Sequence, residues 1–425
     1  MADVAGRVRL EGTTFFKKQT SAVDQNLGSF VFELETKHAL TDQIRFRFEP
    51  RFHFSSDPKI VDAPADGDLR DTQFEGKVSS LRLQLGSLVK VWEGTDGLNP
   101  MDLTSMKNLR DPLAQESLGS LGVSLAGGEG FLTWDLLYVP QQTPSRLLGE
   151  TSPWWPRSHI LPIQRENQEL RLPEEPEYRL LPRESFGHSL ENNGGLRVQL
   201  HGGSWDFSLA GFEGAAQTPL LQPVILGNAI EVKPRLVVQM DNPIQLRPID
   251  YRRRSVAGAL VWTHESWIVR LAGRHDQPIQ GDLTVPEWMA GSGLTTQDLL
   301  PSWSSQGILG LEKTVAIHDQ SVIFVLQVAY GVNPESGGVF SSQDLFQRAV
   351  LYGFRWPWSD VTTFNYSGFY EFKKNSSYGR LQWQRKITDP TLVEVSLDFF
   401  KGPPESLLGV WSNQSRGILA FVYQF

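Results

Sequence analysis

The sequence predicts an all-β fold, a transmembrane antiparallel β-barrel of about eighteen strands, with sixteen as the alternative count. Three observations predict it. Apolar and polar residues alternate through many separate stretches, tight turns alternate with long links, and the chain ends on an aromatic strand at Phe425.

The alternation starts near the beginning of the chain. Val8, Leu10 and Phe16 oppose Arg7, Arg9 and Glu11, and Phe30, Phe32 and Leu34 oppose Glu33 and Glu35. Next, Ile44, Phe46, Phe48, Phe52 and Phe54 share one face, with Arg45, Arg47, Glu49, Arg51 and His53 on the other. Leu81, Leu83 and Leu85 then oppose Arg82 and Gln84. Further on, Leu196, Val198 and Leu200 oppose Arg197, Gln199 and His201, and Trp205, Phe207 and Leu209 oppose Asp206 and Ser208. Trp267, Val269 and Leu271 oppose Arg270 and Arg274, and Val393, Val395, Leu397 and Phe399 oppose Glu394, Ser396 and Asp398. A period of two is a strand, because successive side chains point to opposite faces. An apolar face backed by a charged one needs oil on one side and water on the other. The stretch 228–249 reads least clearly, with room for one extra strand pair.

The connections alternate too. Tight turns fall at 39–41, 79–80, 127–130, 202–203, 264–266, 318–320, 359–360 and 389–391. Long links fall at about 93–116, 140–192, 213–250 and 278–303, all within one barrel domain spanning 1–425. Short turns at one end and long loops at the other characterise barrels of the bacterial outer membrane.

Composition narrows the function. The 425 residues include no cysteine, which removes disulfides, zinc fingers and thiol chemistry. A net charge of -8 argues against nucleic-acid binding. No apolar run is long enough for a membrane helix. The start, Met1-Ala2-Asp3-Val4, shows no signal peptide, so the expectation is a mature chain whose first strand begins near Val4 with no plug domain ahead of it. The aromatics, 24 Phe, 13 Trp and 9 Tyr, are scattered singly along strands rather than grouped in runs. Trp262, Trp267, Trp356 and Trp358 sit beside turns, where interfacial girdles form.

At the C-terminus, Leu419, Phe421, Tyr423 and Phe425 share one face. The ending Phe421-Val422-Tyr423-Gln424-Phe425 resembles the terminal signal of Gram-negative outer-membrane proteins. That resemblance implies outer-membrane lipid as surroundings, the barrel assembly machinery as a partner during biogenesis, and a last strand that closes on the one near Val8. A second resemblance rests on Leu81-Arg82-Leu83-Gln84-Leu85-Gly86, Trp92 and Asn99-Pro100-Met101-Asp102. This order is similar to large porin-like and alginate-export-like barrels, with Trp92-Glu93-Gly94 and Val89-Lys90 departing from their pattern.

A barrel of this size leaves an aqueous bore unless loops fill it. The expected lumen-lining residues are Arg7, Arg9, Glu11, Glu33, Glu35, Arg45, Arg47, Glu49, Arg51, Arg82, Arg197, Arg270 and Arg274. They read either as ion-pair ladders that hold the wall in shape or as a strip that concentrates anionic solutes. Arg252, Arg253 and Arg254 extend the strip or mark a strand end. The segment 140–192, with Trp154-Trp155-Pro156-Arg157, is expected as a surface decoration, an inward constriction or a partner-binding cap, surface decoration being the default. A short helix over 103–109, capped by Asp102, is a further expectation.

Motifs for catalysis are missing: no HExxH, GxSxG, P-loop or GxGxxG. Of eight His, only His201 near Asp206 suggests a functional pair, and a wall hydrogen bond accounts for it. No metal site or cofactor is expected. The sequence therefore points to a passive channel or exporter for a hydrophilic solute, with an anionic one as the finer expectation. A plugged barrel anchoring envelope partners through its loops is the alternative, with a barrel-embedded hydrolase ranked last.

Overall fold

The computed structural model describes all residues except 1–2, 18–24, 57–64, 96, 114, 157–167, 187, 225–226, 232–235, 280–299, 318, 333–347 and 405. The first five barrel strands are β1 (Asp3–Phe15), β2 (Asn26–Ala39), β3 (Ile44–Phe48, resuming as Pro50–Ser55), β4 (Ala65–Leu69, resuming as Gln73–Val78) and β5 (Leu81–Leu88). Then come β6 (Ser120–Glu129), β7 (Leu132–Gln141), β8 (Glu191–His201), β9 (Trp205–Ala215), β10 (Arg252–His264) and β11 (Trp267–Pro278). The set is completed by β12 (Ser304–Ile317), β13 (Gln320–Val332), β14 (Arg348–Ser359), β15 (Thr362–Glu371), β16 (Ser376–Lys386), β17 (Thr391–Lys401) and β18 (Arg416–Gln424).

Each strand pairs antiparallel with the next, and β18 returns to β1, with Val8 opposite Tyr423 and Leu10 opposite Phe421. Closure leaves no sheet edge unpaired, which a strand structure in hydrocarbon requires. At the seam, the Gly6 and Phe425 amides donate to each other's carbonyls at 2.9 and 3.1 Å. Gly6 makes room for the terminal ring, since a Cβ there would stand 2.2 Å from Phe425 Cζ.

The outward rows are apolar and open to the surroundings. Leu10, Leu83, Leu209, Leu326 and Phe421 are each about half exposed, and similar side chains continue around the wall. A soluble monomer does not leave so continuous an apolar belt in water; hydrocarbon is the medium that suits it. The inward rows carry the charges together with small residues such as Ala210, Ala257 and Ala272.

The tight turns lie at one end, beside both chain termini, and the long links at the other. Gly127 and Gly128, expected in a turn, belong to β6; the chain reverses at Gly130, whose φ of +59° suits glycine. Among its described residues, the stretch 228–249 holds no extra wall pair. It contributes Leu236–Met240, which pairs with Gln168–Arg171 and Gly227–Glu231, and Ile244–Asp250. The latter strand pairs with Tyr178–Leu180, Glu184–Ser185 and Leu220–Val224. The links 142–190 and 216–251 thus fold together into a cap with its own core of Trp155, Leu172, Tyr178, Met240, Ile244 and Leu246. The expected link at about 278–303 falls mostly outside the described residues.

Candidate functional site

Two long links turn inward and cross the bore. The first, 89–119, leaves β5 and lies on a patch of small and apolar inward side chains. Trp92, Met101 and Leu103 are fully buried there against Leu137, Val139, Ala210, Phe212, Ala257, Ala259 and Ala272. Three such side chains stabilise the anchored loop by about 1.5–3 kcal/mol each. Asn99 shapes the turn: its amide donates to the Trp92 carbonyl at 2.7 Å, and its Oδ1 accepts from the Met101 amide at 3.1 Å. The Asn-Pro-x-Asp motif is therefore a loop-forming device in this chain. The tip at Gly97 reaches Gln327 on β13 and Leu351 on β14, nearly opposite β5 in strand order.

The helix expected over 103–109 is absent. The segment runs extended, because polar side chains of the wall and of the two neighbouring links take up its backbone. Arg253 donates to the Leu103 carbonyl at 3.2 Å, Gln142 to Thr104 at 2.9 Å, and Gln217 to Asp102 and Ser105 at 3.0 Å. Asp102 pairs with Lys107 instead of capping a helix.

Charged side chains fasten the loop across the bore. Asp111 meets Arg416 of β18 at 2.7 Å, Glu116 forms a bidentate pair with Arg51 of β3, and Arg110 pairs with Asp66 of β4. Arg416 also holds Asp398 at 2.8 Å, and Asp398 in turn accepts from Arg380 at 2.6 Å and from Tyr378 at 2.9 Å.

The second link, 142–190, sends Trp154 across to Phe369, Tyr378, Phe400 and Trp411 on the far side. The Trp411 indole donates to the Trp154 carbonyl at 2.8 Å, and Arg416 lies 4.8 Å from the Trp154 ring centroid. Here the default expectation of a surface decoration is corrected. Apolar residues in this link find partners inside the lumen and within the cap, where burial is available, rather than on an open surface. Arg157, named with the tryptophans, lies outside the described residues.

On the turn side of these loops lies a polar chamber of about 230 Å³, lined by Arg82, Lys90, Arg197, Asp71, Asp135 and Trp92 among others. Lys90 meets Asp135 at 2.6 Å, and Arg197 stands 3.9 Å from the same carboxylate. Of the charges that line the chamber, Arg82 is paired with Glu75 and Asp71 with Arg47, so Lys90 and Arg197 face the one carboxylate of Asp135.

The sequence-predicted charges lie on the rows opposite the exposed apolar ones, mostly in pairs. Arg7 pairs with Glu33 at 2.6 Å, and Arg9 with Glu11 at 2.9 Å and Glu394 at 2.5 Å. Arg47 bridges Glu35, Glu49 and Asp71, and Arg51 adds Glu33 at 3.1 Å. Arg82 meets Glu75 at 2.6 Å, Arg270 meets Glu312 at 2.8 Å, and Arg274 meets Asp276 at 2.5 Å. Arg45 lies in register with Glu75. Arg253 is buried against Asp276 at 3.0 Å, whereas its neighbours Arg252 and Arg254 hold backbone carbonyls and Glu213 at the strand ends. Alternation marks Glu394 and Asp398 as inward residues, but it carries no sign of Asp111, Glu116 or Lys90, whose segments are aperiodic.

His201 accepts or donates at both ring nitrogens, to Thr133 at 2.9 Å and Asp206 at 2.8 Å. Both the ring and the carboxylate are about half exposed, so water screens the chain, and it ties three strand ends at the rim.

No family model matches the chain, and no curated protein matches it. Solved structures do. OccAB1 of Acinetobacter baumannii superposes with a TM-score of 0.54 at 10% identity, covering 100% of this chain and 96% of that one. The fold is that of an outer-membrane porin. OccK2 (OpdF) of Pseudomonas aeruginosa, solved in complex with glucuronate, gives 0.54 at 10% identity over 100% and 98% of the two chains. OccAB3 of A. baumannii gives 0.53 at 9% identity over 100% and 99%. At these identities the likeness is one of architecture.

Proposed function

We propose that the protein is an outer-membrane channel of Gram-negative bacteria giving passive passage to a hydrophilic, preferentially anionic solute. The observation that carries this reading is the bore itself: a closed barrel with an apolar exterior, a charged interior, and two inward loops that narrow the path without replacing its polar lining. Passage is then set by the width between the loops and by the charges facing the path. Lys90 and Arg197 share the single carboxylate of Asp135, a local excess of positive charge whose field a low-dielectric wall focuses. Glucuronate, the molecule held by OccK2, is a fitting probe. The Asn99–Asp102 motif leaves an export direction, as in alginate-export-like barrels, a part of the proposal on resemblance alone. The C-terminal row Leu419, Phe421, Tyr423 and Phe425 would serve the assembly machinery.

The test is the reversal potential of purified protein in planar bilayers under a salt gradient. An anion-selective potential that shifts toward neutrality in Lys90→Gln, with glucuronate reducing the current, is expected. Cation selectivity overturns the anionic reading.

A second reading is an anchoring barrel whose bore is stoppered. The cap built from 142–190 and 216–251 favours it, since a loop structure with its own apolar core presents a defined surface to envelope partners. Silence in bilayers, persisting after deletion of 142–190, selects that reading.

A further inference from the structure

The outer wall carries one lysine in an otherwise apolar stretch, beside a groove. Lys313 stands on the outward row of β12, in register with Trp267 on one side and Phe324 on the other. Its ammonium lies 4.2 Å from the Trp267 ring centroid and meets no carboxylate among the described residues. The adjoining groove, about 510 Å³, is lined by Leu311, Phe324, Leu326, Tyr352, Phe354 and Tyr366, together with Trp267 and Lys313 at one end.

Position gives the lysine its meaning. Trp267 is the first residue after the tight turn at 265–266, and the Lys313 ammonium, on the ring of Trp267, reaches that turn-side end from four residues inside β12. A cation on the lipid-facing row is costly at mid-membrane and nearly free at the interface, where it meets headgroups. From there the row runs through Phe324 and Phe354 to Tyr366, well inside β15. The next row, Leu311, Leu326 and Tyr352, lies two residues further from the turns, so the trough leads from the lysine toward the hydrocarbon. The groove thus has a cationic end at headgroup level and an apolar trough leading inward. That is the charge and polarity profile of one phospholipid molecule.

We propose that this groove is a specific site for a glycerophospholipid of the periplasmic leaflet. The phosphodiester pairs with Lys313, and one acyl chain lies along Leu326 and Tyr352. The site is on the opposite face of the wall from the solute path, so its failure would leave the channel reading untouched.

Native mass spectrometry of the full chain, extracted in mild detergent, tests it. The wild type is expected to retain one phospholipid. Lys313→Gln is expected to lower the retained fraction about fivefold, the weight of one lysine near an anionic membrane surface. Lys313→Arg should keep the lipid, and Leu326→Trp should expel it by filling the trough. Lys386→Gln, at another turn, should change nothing. Heat-modifiable gel migration verifies that each variant has closed its barrel. Equal retention by wild type and Lys313→Gln, retention of lipopolysaccharide alone, or no lipid on the wild type would each overturn the proposal.

Discussion

Trp92 shows how a single side chain decides the form of the bore. It is fully buried, its indole approaches Asp135 at 3.4 Å, and its ring fills the space that Gly195 leaves on β8. Trp92→Ala removes this filling, and buried Trp→Ala changes cost about 3–5 kcal/mol. The cost falls on the loop and not on the barrel, whose strands pair independently of it. The expected result is a wider, noisier channel with an unchanged barrel melting transition. A fall in that transition with unaltered conductance would show that Trp92 supports the wall instead. A second residue-scale prediction concerns Asp250 in the cap. Burial pushes its carboxyl above the ordinary 3.8, against the opposing pull of Arg183. A raised folded-state value means the folded cap binds the proton more tightly than the unfolded chain does. This contribution is fully present below 3.8 and is lost as pH rises through the raised value. Protection of the Phe186 amide, which donates to the Asp250 carbonyl, should therefore decline over that window once intrinsic exchange rates are corrected. Asp250→Asn should abolish the dependence; a flat profile in the native chain would refute it.

Between elements, the decisive contacts join the inward loops to the wall. Asp111, Arg416, Asp398 and Arg380 form a chain from the 89–119 loop to β18, β17 and β16. Breaking a partly buried pair by removing one partner strands the other charge, so the two sides are not equivalent. Asp111→Asn releases the loop while Arg416 keeps Asp398; Arg416→Ala strands Asp111 and takes from Asp398 one of its two arginines, leaving it with Arg380. The first variant should raise amide exchange at Leu118 and increase conductance, and the second should also loosen β17 and β18. Identical exchange in both would contradict this order. Strands and turns were legible in the sequence because a two-residue period records which medium each face meets. The inward loops were not. Trp92, Met101, Leu103 and Met106 follow no period, and their partners lie far along the chain. The small inward residues Ala210, Ala257, Ala259 and Ala272 were the available hint, since a wall row without charge or bulk leaves room for another segment to pack. For the same reason the stretch 228–249 read least clearly and left room for an extra wall pair: its apolar residues record burial against a loop core, not against lipid.

At the scale of the whole molecule, closure and obstruction are separate achievements of the chain. Closure comes from eighteen strands and the seam where Gly6 receives the Phe425 ring. Obstruction comes from the two links that traverse the lumen. The account stands on that traverse, and the chain offers a clean way to see it, because it contains no native cysteine. Gly97→Cys and Gln327→Cys place one thiol at the tip of the 89–119 loop and one on the wall nearly opposite its origin. Treated in outer membranes with a short bifunctional thiol reagent, the double variant should cross-link rapidly within one chain, while either single variant remains linear. A double variant that stays uncross-linked, with both thiols still open to a monofunctional reagent, would contradict the crossing and the channel geometry built on it.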